Sequence, residues 1–515
     1  MSDSKDKTGR RPGGEKPPGF LFRAFAPLLT VGLSACAVGP NFHPPAPPKV
    51  ALTPEKLPAM TVAAGGVAQQ YRSGADISGD WWTLYHSPEL NALIKAGLEH
   101  SPTLAASQQT LIEAEETVRA EQGGLLPSLS GSYQATREQV SPAELASFGA
   151  GSQASTTSIA PFTLYNADLN VSYSPDVFGG VRRQIESDAA QADYQRDELE
   201  AAYLTLTSNI VTSAIGEASL LAQIDATNKV IAAEQQELSI LTTQMKLGGV
   251  AQAQVLQQQA TLASTEATLP PLQAQLAQTR NQLAVYVGAF PGDFHEADFT
   301  LAGLTLPQDL PVSLPSAVVA QRPDIQAASA QLHTATANLG IADANLLPQF
   351  TLSAQLGHEA LTSGTLFTPQ TLVWSLVAGV TQPLFEGGTL TARRKAALAA
   401  LRVAGAQYQE TVLSAFQNVA DALQVLQYDA LTLAAAQEAE DAAASSLAVT
   451  TAQYKLGGQP FTAVLTAQTT YQNAAIAEVK AAASRLSDTA ALYQALGGGW
   501  WHREDVAGSC CGIIP

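Results

Sequence analysis

Residues 101–130, SPTLAASQQTLIEAEETVRAEQGGLLPSLS, recur without a gap as residues 322–351, RPDIQAASAQLHTATANLGIADANLLPQFT. Pro102 falls on Pro323, Leu111 on Leu332, Ala114 on Ala335, and Leu125-Leu126-Pro127 on Leu346-Leu347-Pro348. Further along, SPDVFGG ending at Gly180 is echoed by QPLFEGG ending at Gly388, and QMKLGGVAQAQVL from 244 by QYKLGGQPFTAVL from 453. The matched blocks keep the same order in both halves, which marks an internal duplication of one structural plan.

Each half carries one very long helical stretch. Residues 181–247 contain no proline and one glycine, Gly216, and residues 389–456 again no proline and one glycine, Gly405. At 1.5 Å per residue each run predicts a helix of roughly 100 Å. Helices of that length suit coiled-coil or tube-like packing better than a compact globule. The pairs Gly248-Gly249 and Gly457-Gly458 end these runs, because glycine accepts the left-handed conformation of a helix C-cap. Return helices follow over 252–287 and 461–496, so each half offers a helical hairpin. Pro270-Pro271 stands in the first return helix where the second half has Val479-Lys480, and a proline pair there predicts a break or kink.

Between the helices the hydrophobic period changes to two. In YNADLNVSYS, residues 165–174, Tyr165, Ala167, Leu169, Val171 and Tyr173 alternate with Asn166, Asp168, Asn170, Ser172 and Ser174. QFTLSAQLG sets Phe350, Leu352, Ala354 and Leu356 against Gln349, Thr351, Ser353 and Gln355. TLVWSLVAGVTQ presents Leu372, Trp374, Leu376, Ala378 and Val380 on one face, and SLSGSYQAT sets Leu129, Tyr133 and Ala135 against serines, Gln134 and Thr136. Four strands follow, each near the roughly ten residues that a tilted membrane strand needs. Four cannot close a membrane barrel whose smallest known size is about eight. Either the strands form a small soluble sheet or several chains pool them. No run of about eighteen apolar residues occurs, so a membrane crossing by this chain would have to be a closed β-barrel.

The N-terminal region reads as an export signal. Lys5, Lys7, Arg10, Arg11, Lys16 and Arg23 precede an apolar stretch over 24–33 that is too short to span a bilayer. It ends in Leu33-Ser34-Ala35-Cys36, which resembles a bacterial lipobox, with Cys36 as the lipid-attachment residue and Ala37 favouring the outer membrane. Prolines 40, 44, 45, 47 and 48 then hold the chain extended, as a tether leading away from a lipid surface. More than one acyl chain makes a stable anchor.

Charged residues are only 14% of the 515, and the net charge of −18 leaves no basic surface for nucleic acid. Of three cysteines, Cys510 and Cys511 adjoin at the C-terminal tail without a second pair for zinc. HEALT at 358 lacks the second histidine of a zinc-protease helix, GLSAC carries Cys36 where a nucleophile elbow has glycine, and the glycine pairs lack the context of a phosphate loop. No catalytic constellation, metal site or cofactor motif is expected.

The block DWWTLYHSPELNALIKAGLEHSPTL, the LLPS and LLPQ strand openings, QRPDI, LFEGG and the twin hairpin ends together resemble the outer-membrane efflux proteins, the TolC-like family. The lipobox and VGPNFHPP point to its NodT-like lipoprotein branch. The resemblance implies a homotrimer of mixed α and β class. Each chain gives four strands to one twelve-stranded outer-membrane barrel, continuous with a long periplasmic α-helical barrel. It further implies a passive exit duct that does no chemistry, a periplasmic membrane-fusion adaptor, and an inner-membrane transporter of the resistance–nodulation–division class. Polar strand residues Asn166, Asp168, Asn170, Gln349, Thr351 and Ser353 would then line the lumen while the apolar faces meet outer-membrane lipid. The hairpin tips would constrict the tunnel and meet the adaptor, through Lys246, Gly248, Gly249, Gln252 and Gln254 and through Lys455, Gly457, Gly458, Gln459 and Thr462. Related proteins often carry charged rings there, whereas these stretches offer glutamines and threonines and no acid. The expected organisation is a signal over 1–35, an extended lipid-anchored tail over 36–86, a helix over 87–126, a barrel hairpin over 127–178, and a helical hairpin over 179–288. A linker over 289–321 leads to the second helix over 322–347, barrel hairpin over 348–386, helical hairpin over 387–497 and tail over 498–515. The rival reading is a lipid-anchored periplasmic coiled-coil scaffold or adaptor without a pore, which needs no lipid-facing wall.

Overall fold

The structure is a computed structural model that describes residues 37–48, 50, 58–139, 160–295, 299–312 and 315–503. Two compact units emerge, each assembled from several stretches of chain. One comprises 1–40, 121–185 and 337–397, and the other 41–120, 186–336 and 398–515.

The first unit contains strands β2 (Ser128–Glu138), β3 (Phe162–Tyr173), β5 (Gln349–Ala360) and β6 (Leu372–Thr381). They form one antiparallel sheet in the order β2-β3-β5-β6, so the two sequence hairpins are joined through β3 and β5. The register sets Ser132 opposite Asp168 and Asp168 opposite Gly357, while Leu129 faces Val171 and Leu356 faces Trp374. Because side chains alternate strictly along a strand, this register gathers Leu129, Tyr133, Leu169, Val171, Leu352, Leu356, Trp374, Leu376 and Val380 onto one wall and most polar positions onto the other, where Leu164, Val373 and Val377 also fall.

The second unit holds helices α1 (Pro88–His100), α2 (Pro102–Gln122) and the greater part of two 67-residue helices, α3 (Gly180–Lys246) and α8 (Thr389–Lys455). The return from α3 is split into α4 (Gln252–Glu266) and α5 (Leu269–Tyr286), with the prolines at the first turn of α5, where their missing N–H is harmless. The return from α8 is the single helix α9 (Phe461–Ala495). Ser87 caps α1 by accepting from the Leu90 N–H at 3.2 Å, and Leu90, Leu93, Ile94 and Gly97 bury one helical face. This face joins the main core with Trp81, Tyr85, Ile210, Leu283, Leu423, Leu486 and Tyr493. Trp81 stacks on Tyr493 with ring centroids 5.3 Å apart, and the Tyr85 hydroxyl donates to Leu486 O at 2.8 Å.

Three segments expected to be extended or linking are built into this unit. β1 (Gln70–Ser73) lies in the expected tail and β4 (Asp309–Val312) in the expected linker, and they pair in parallel. Neither shows a period long enough to be seen locally, and each strand is completed by the other. The end of the expected linker is itself helical, as α6 (Pro315–Gln321), and α7 (Pro323–Ala344) follows it. The expected C-terminal tail begins with a docked turn, in which the Trp500 indole donates to Gln321 O at 2.6 Å.

A buried polar network ties these pieces together. Arg485, 2% exposed, donates to Ala64 O, Val67 O, Thr61 Oγ1 and Gln69 Oε1 at 2.9–3.2 Å. Gln69 in turn donates to Pro307 O and Thr489 Oγ1. Nearby, burial and a hydrogen bond shared with Asp488 push the Asp429 carboxyl up to about 7. Its folded-state value lies above the unfolded one, so the folded chain holds the extra proton. The stabilisation is therefore complete below about pH 4 and is lost as pH rises through about 7. Allowing for partial exposure, we expect stability to fall by about 1–3 kcal/mol across that window. Asp197, pushed up to about 7 by burial and by Asp193, adds a slope of the same sign. Guanidinium titrations at several pH values check this, and Asp429→Asn should flatten the curve. A slope unchanged by that substitution contradicts the assignment.

Candidate functional site

Two surfaces carry the residues singled out in the sequence, and each lies within one unit. The first is the sheet. Asn166, Asp168, Asn170, Gln349, Thr351 and Ser353 all fall on its polar wall, with Ser130, Ser132, Gln134, Gln355 and Glu359 as cross-strand neighbours. The Asn170 amide donates to Ser132 Oγ at 3.4 Å. On the opposite wall Leu129, Tyr133, Trp374, Leu376 and Val380 are each more than 60% exposed. A continuous apolar wall of that kind is unstable against water and suited to lipid. β2 and β6 have only one partner each within the chain among the described residues, leaving two open ladder edges.

The second surface is the pair of hairpin tips. Lys246 ends α3 and Lys455 ends α8, where a cation complements the helix dipole. Gly248 and Gly457 both take φ of +76°. Gly249 N–H donates to Gln244 O at 2.8 Å and Gly248 N–H to Met245 O at 3.0 Å; Gly458 and Gly457 repeat the pattern with Gln453 O and Tyr454 O, both at 2.9 Å. These are twin Schellman caps, conserved through the duplication in detail. Gln252, Gln459 and Thr462 are exposed, whereas Gln254 is half-buried. Among the described residues neither lysine forms an ion pair; burial, and to a lesser degree the charge of Glu237, raises the Tyr454 phenol above its ordinary value. We expect Gly248→Ala and Gly457→Ala each to cost about 1–2 kcal/mol through left-handed backbone alone, since nothing lies within 4 Å of either position. Gly249→Ala and Gly458→Ala should stay within about 0.5 kcal/mol. Chemical unfolding of the four variants checks the contrast, and equal effects would refute it.

What joins the tips was not read from the sequence. Leu241, Phe461 and Val464 are buried together, with Val250, Val255, Tyr454 and Leu465 packed around them. Phe461 is 2% exposed and lies 5.3 Å from the Tyr454 ring. The signal was available in the apolar positions that flank each glycine pair, but periodicity assigns them to two separate helices. Leu247 and Leu456, at equivalent positions beside the caps, are 81% and 88% exposed.

The family model for outer membrane efflux proteins matches residues 93–289 and 314–498, well over half of the chain and divided at the boundary between the repeats. The chain belongs to the outer membrane efflux protein family. Among curated relatives, the pyoverdine export outer membrane protein OpmQ of Pseudomonas putida KT2440 is 29% identical over 82% of this chain and 88% of its own. Nodulation protein T of Rhizobium leguminosarum bv. trifolii is 26% identical over 87% and 91%. Of solved structures, the outer membrane protein VceC of Vibrio cholerae superposes with a TM-score of 0.74 at 27% identity, covering 82% of this chain and all of that one. The Campylobacter jejuni CmeC outer membrane channel gives 0.81 at 21%, covering 92% and 97%. The fold is that of the trimeric outer-membrane efflux channels, with an α-helical barrel part and a β domain. This efflux protein is accordingly an outer-membrane channel of an efflux pump, and the scaffold without a pore finds no support.

Cys36, expected from the sequence to carry the lipid, lies outside the described residues, as do Cys510 and Cys511. Among the described residues no helix is long and apolar enough to cross a membrane, which says nothing against a barrel.

Proposed function

We propose that three copies of this chain close one twelve-stranded barrel and act as the passive exit duct of a tripartite pump. A periplasmic membrane-fusion adaptor and an inner-membrane transporter of the resistance–nodulation–division class would be its partners. The observation that carries the proposal is the open-edged, two-faced sheet. Its unpaired edges need strands from other copies, because lipid offers no hydrogen bonds to exposed backbone. Its polar wall, with Asn166, Asp168, Asn170, Gln349, Thr351 and Ser353, then faces a water-filled lumen. The tip residues Lys246, Gly248, Gly249, Gln252, Gln254, Lys455, Gly457, Gly458, Gln459 and Thr462 form the periplasmic aperture and the adaptor contact, with exposed Leu247 and Leu456 supplying apolar area for the adaptor. Cys36 carries the lipid anchor.

Native mass spectrometry in mild detergent and single-channel recording in planar bilayers test this together. A trimer with discrete conductance is the expected result, and a stable monomer without current refutes it. Because the tip stretches present no carboxylate, closed-state current should change little between about pH 4 and 7, where carboxylates ordinarily titrate. A steep step in that range, unaffected by Gln459→Ala, would place control of the aperture in an acidic ring elsewhere.

A further inference from the structure

The residues that directly follow the acylation motif are bound. Val38 N–H donates to Phe178 O at 3.1 Å. Arg183 returns the contact, its Nε donating to Val38 O at 3.0 Å and its Nη2 to Gly39 O at 3.3 Å. The backbones touch as well. A side-chain carbon placed on Gly179 would lie 2.6 Å from Ala37 Cα, and one placed on Gly39 would lie 2.5 Å from Gly340 Cα. A carbon on Gly340 itself would meet the Arg183 side chain at 2.9 Å.

The duplication provides an internal control. Gly179-Gly180 recurs as Gly387-Gly388, also with positive φ at both second-half glycines, yet nothing lies within 4 Å of either of the latter. The turn by itself therefore needs glycine but no cover. The gap-free counterpart of Gly340 is Arg119, which pairs with Glu116 on its own helix, and the counterpart of Arg183 is Thr391. Gly340 sits inside α7, where glycine costs about 1 kcal/mol relative to alanine and so needs a reason. The crossing strap and the room for Arg183 supply one.

We propose that Gly179, Arg183 and Gly340 form a binding seat for the chain's own segment 37–40, built in only one of the two repeats. The seat holds the strap at the turn from β3 to α3, so that an acyl group on residue 36 is fixed within one peptide of that turn. The placement of the acyl group rests on the lipid-anchor reading above; the seat itself does not. The partner recognised is a short peptide with two close-packed small residues, Ala37 and Gly39, bound through its backbone carbonyls by one guanidinium.

Hydrogen exchange of the full chain in detergent, resolved to the Val38 amide, tests the seat. Mature wild-type protein should show that amide protected, and Arg183→Ala and Gly340→Leu should each speed its exchange by about tenfold or more. Arg119→Leu, at the matching position of the other repeat, should leave it unchanged. Arg183→Ala adds no bulk and keeps the test valid if Gly340→Leu fails to fold. The same measurement on Cys36→Ser, exported with a non-lipoprotein leader, separates seat from anchor. Protection that persists there supports the seat, and protection seen only in acylated protein overturns it. Intact mass of the wild-type N-terminus reads the anchor independently: an unmodified Cys36 with a protected Val38 would remove the anchor and leave the seat. Rapid Val38 exchange in wild type, or exchange indifferent to both seat variants, overturns the proposal.

Discussion

Arg485→Ala is expected to destabilise the chain by about 3–5 kcal/mol, in the range for removing one partner of a buried charge network. Four acceptors lose the guanidinium at once: Val67 O and Gln69 Oε1, and also Ala64 O and Thr61 Oγ1, which keep the Val67 and Gln69 N–H groups as donors. Each buried acceptor left unpaired carries its own desolvation cost. The Asp429 carboxyl also loses a nearby positive charge, since Arg485 is the group that opposes its upward shift. Arg485→Lys should recover little, because an ammonium cannot span acceptors arranged around a planar fork. Guanidinium unfolding followed by helical circular dichroism measures the loss. The assignment further predicts where the damage begins: segment 61–69 and its neighbour β1 should become accessible to protease before the helices melt. A variant with wild-type stability and an intact N-terminal segment would show that Arg485 only fills space.

Phe461→Ala is expected to loosen the hairpin tips, at a cost of about 3–5 kcal/mol for a fully buried aromatic side chain. Phe461, Leu241 and Val464 bring the start of α9 against the end of α3, so this packing links the two hairpins of one chain. With no carboxylate in the tip stretches and no ion pair there from Lys246 or Lys455 among the described residues, packing is the main force available to hold the tips in place. Closed-state current through single channels should therefore rise several-fold in Phe461→Ala, whereas Lys246→Ala and Lys455→Ala should leave it nearly unchanged. Circular dichroism should show the helices preserved. Unchanged current in Phe461→Ala, together with a large rise on removing either lysine, would establish a charged latch instead.

Much of this architecture is local in origin and was legible in the residues. Helix lengths follow from the absence of proline over 181–247 and 389–456, and the observed helices end within a residue of those limits. The faces of the strands follow from a period of two, and the observed register keeps Asn166, Asp168 and Asn170 on one wall with Ser353 and Gln355. The split of the first return helix follows from Pro270-Pro271, because proline acts on its own turn. Tip turns follow from paired glycines for the same reason.

Tertiary structure decided what depends on residues far apart in the chain. β1 and β4 are short and become strands only on meeting each other, 239 positions apart at Gln70 and Asp309. Arg485 reads as one more basic residue on a helix, yet its acceptor Ala64 O is 421 residues away. Phe461 reads as the first residue of a helix, and only the packed tips make it the centre of a cluster. Gly340 breaks no visible pattern until the strap crosses it. Periodicity reports which face of an element is apolar, because that is set by its own geometry. Which partner covers that face, and which buried carbonyls a guanidinium must satisfy, is set by burial and hydrogen bonding between distant segments, and these exist only once the chain has folded.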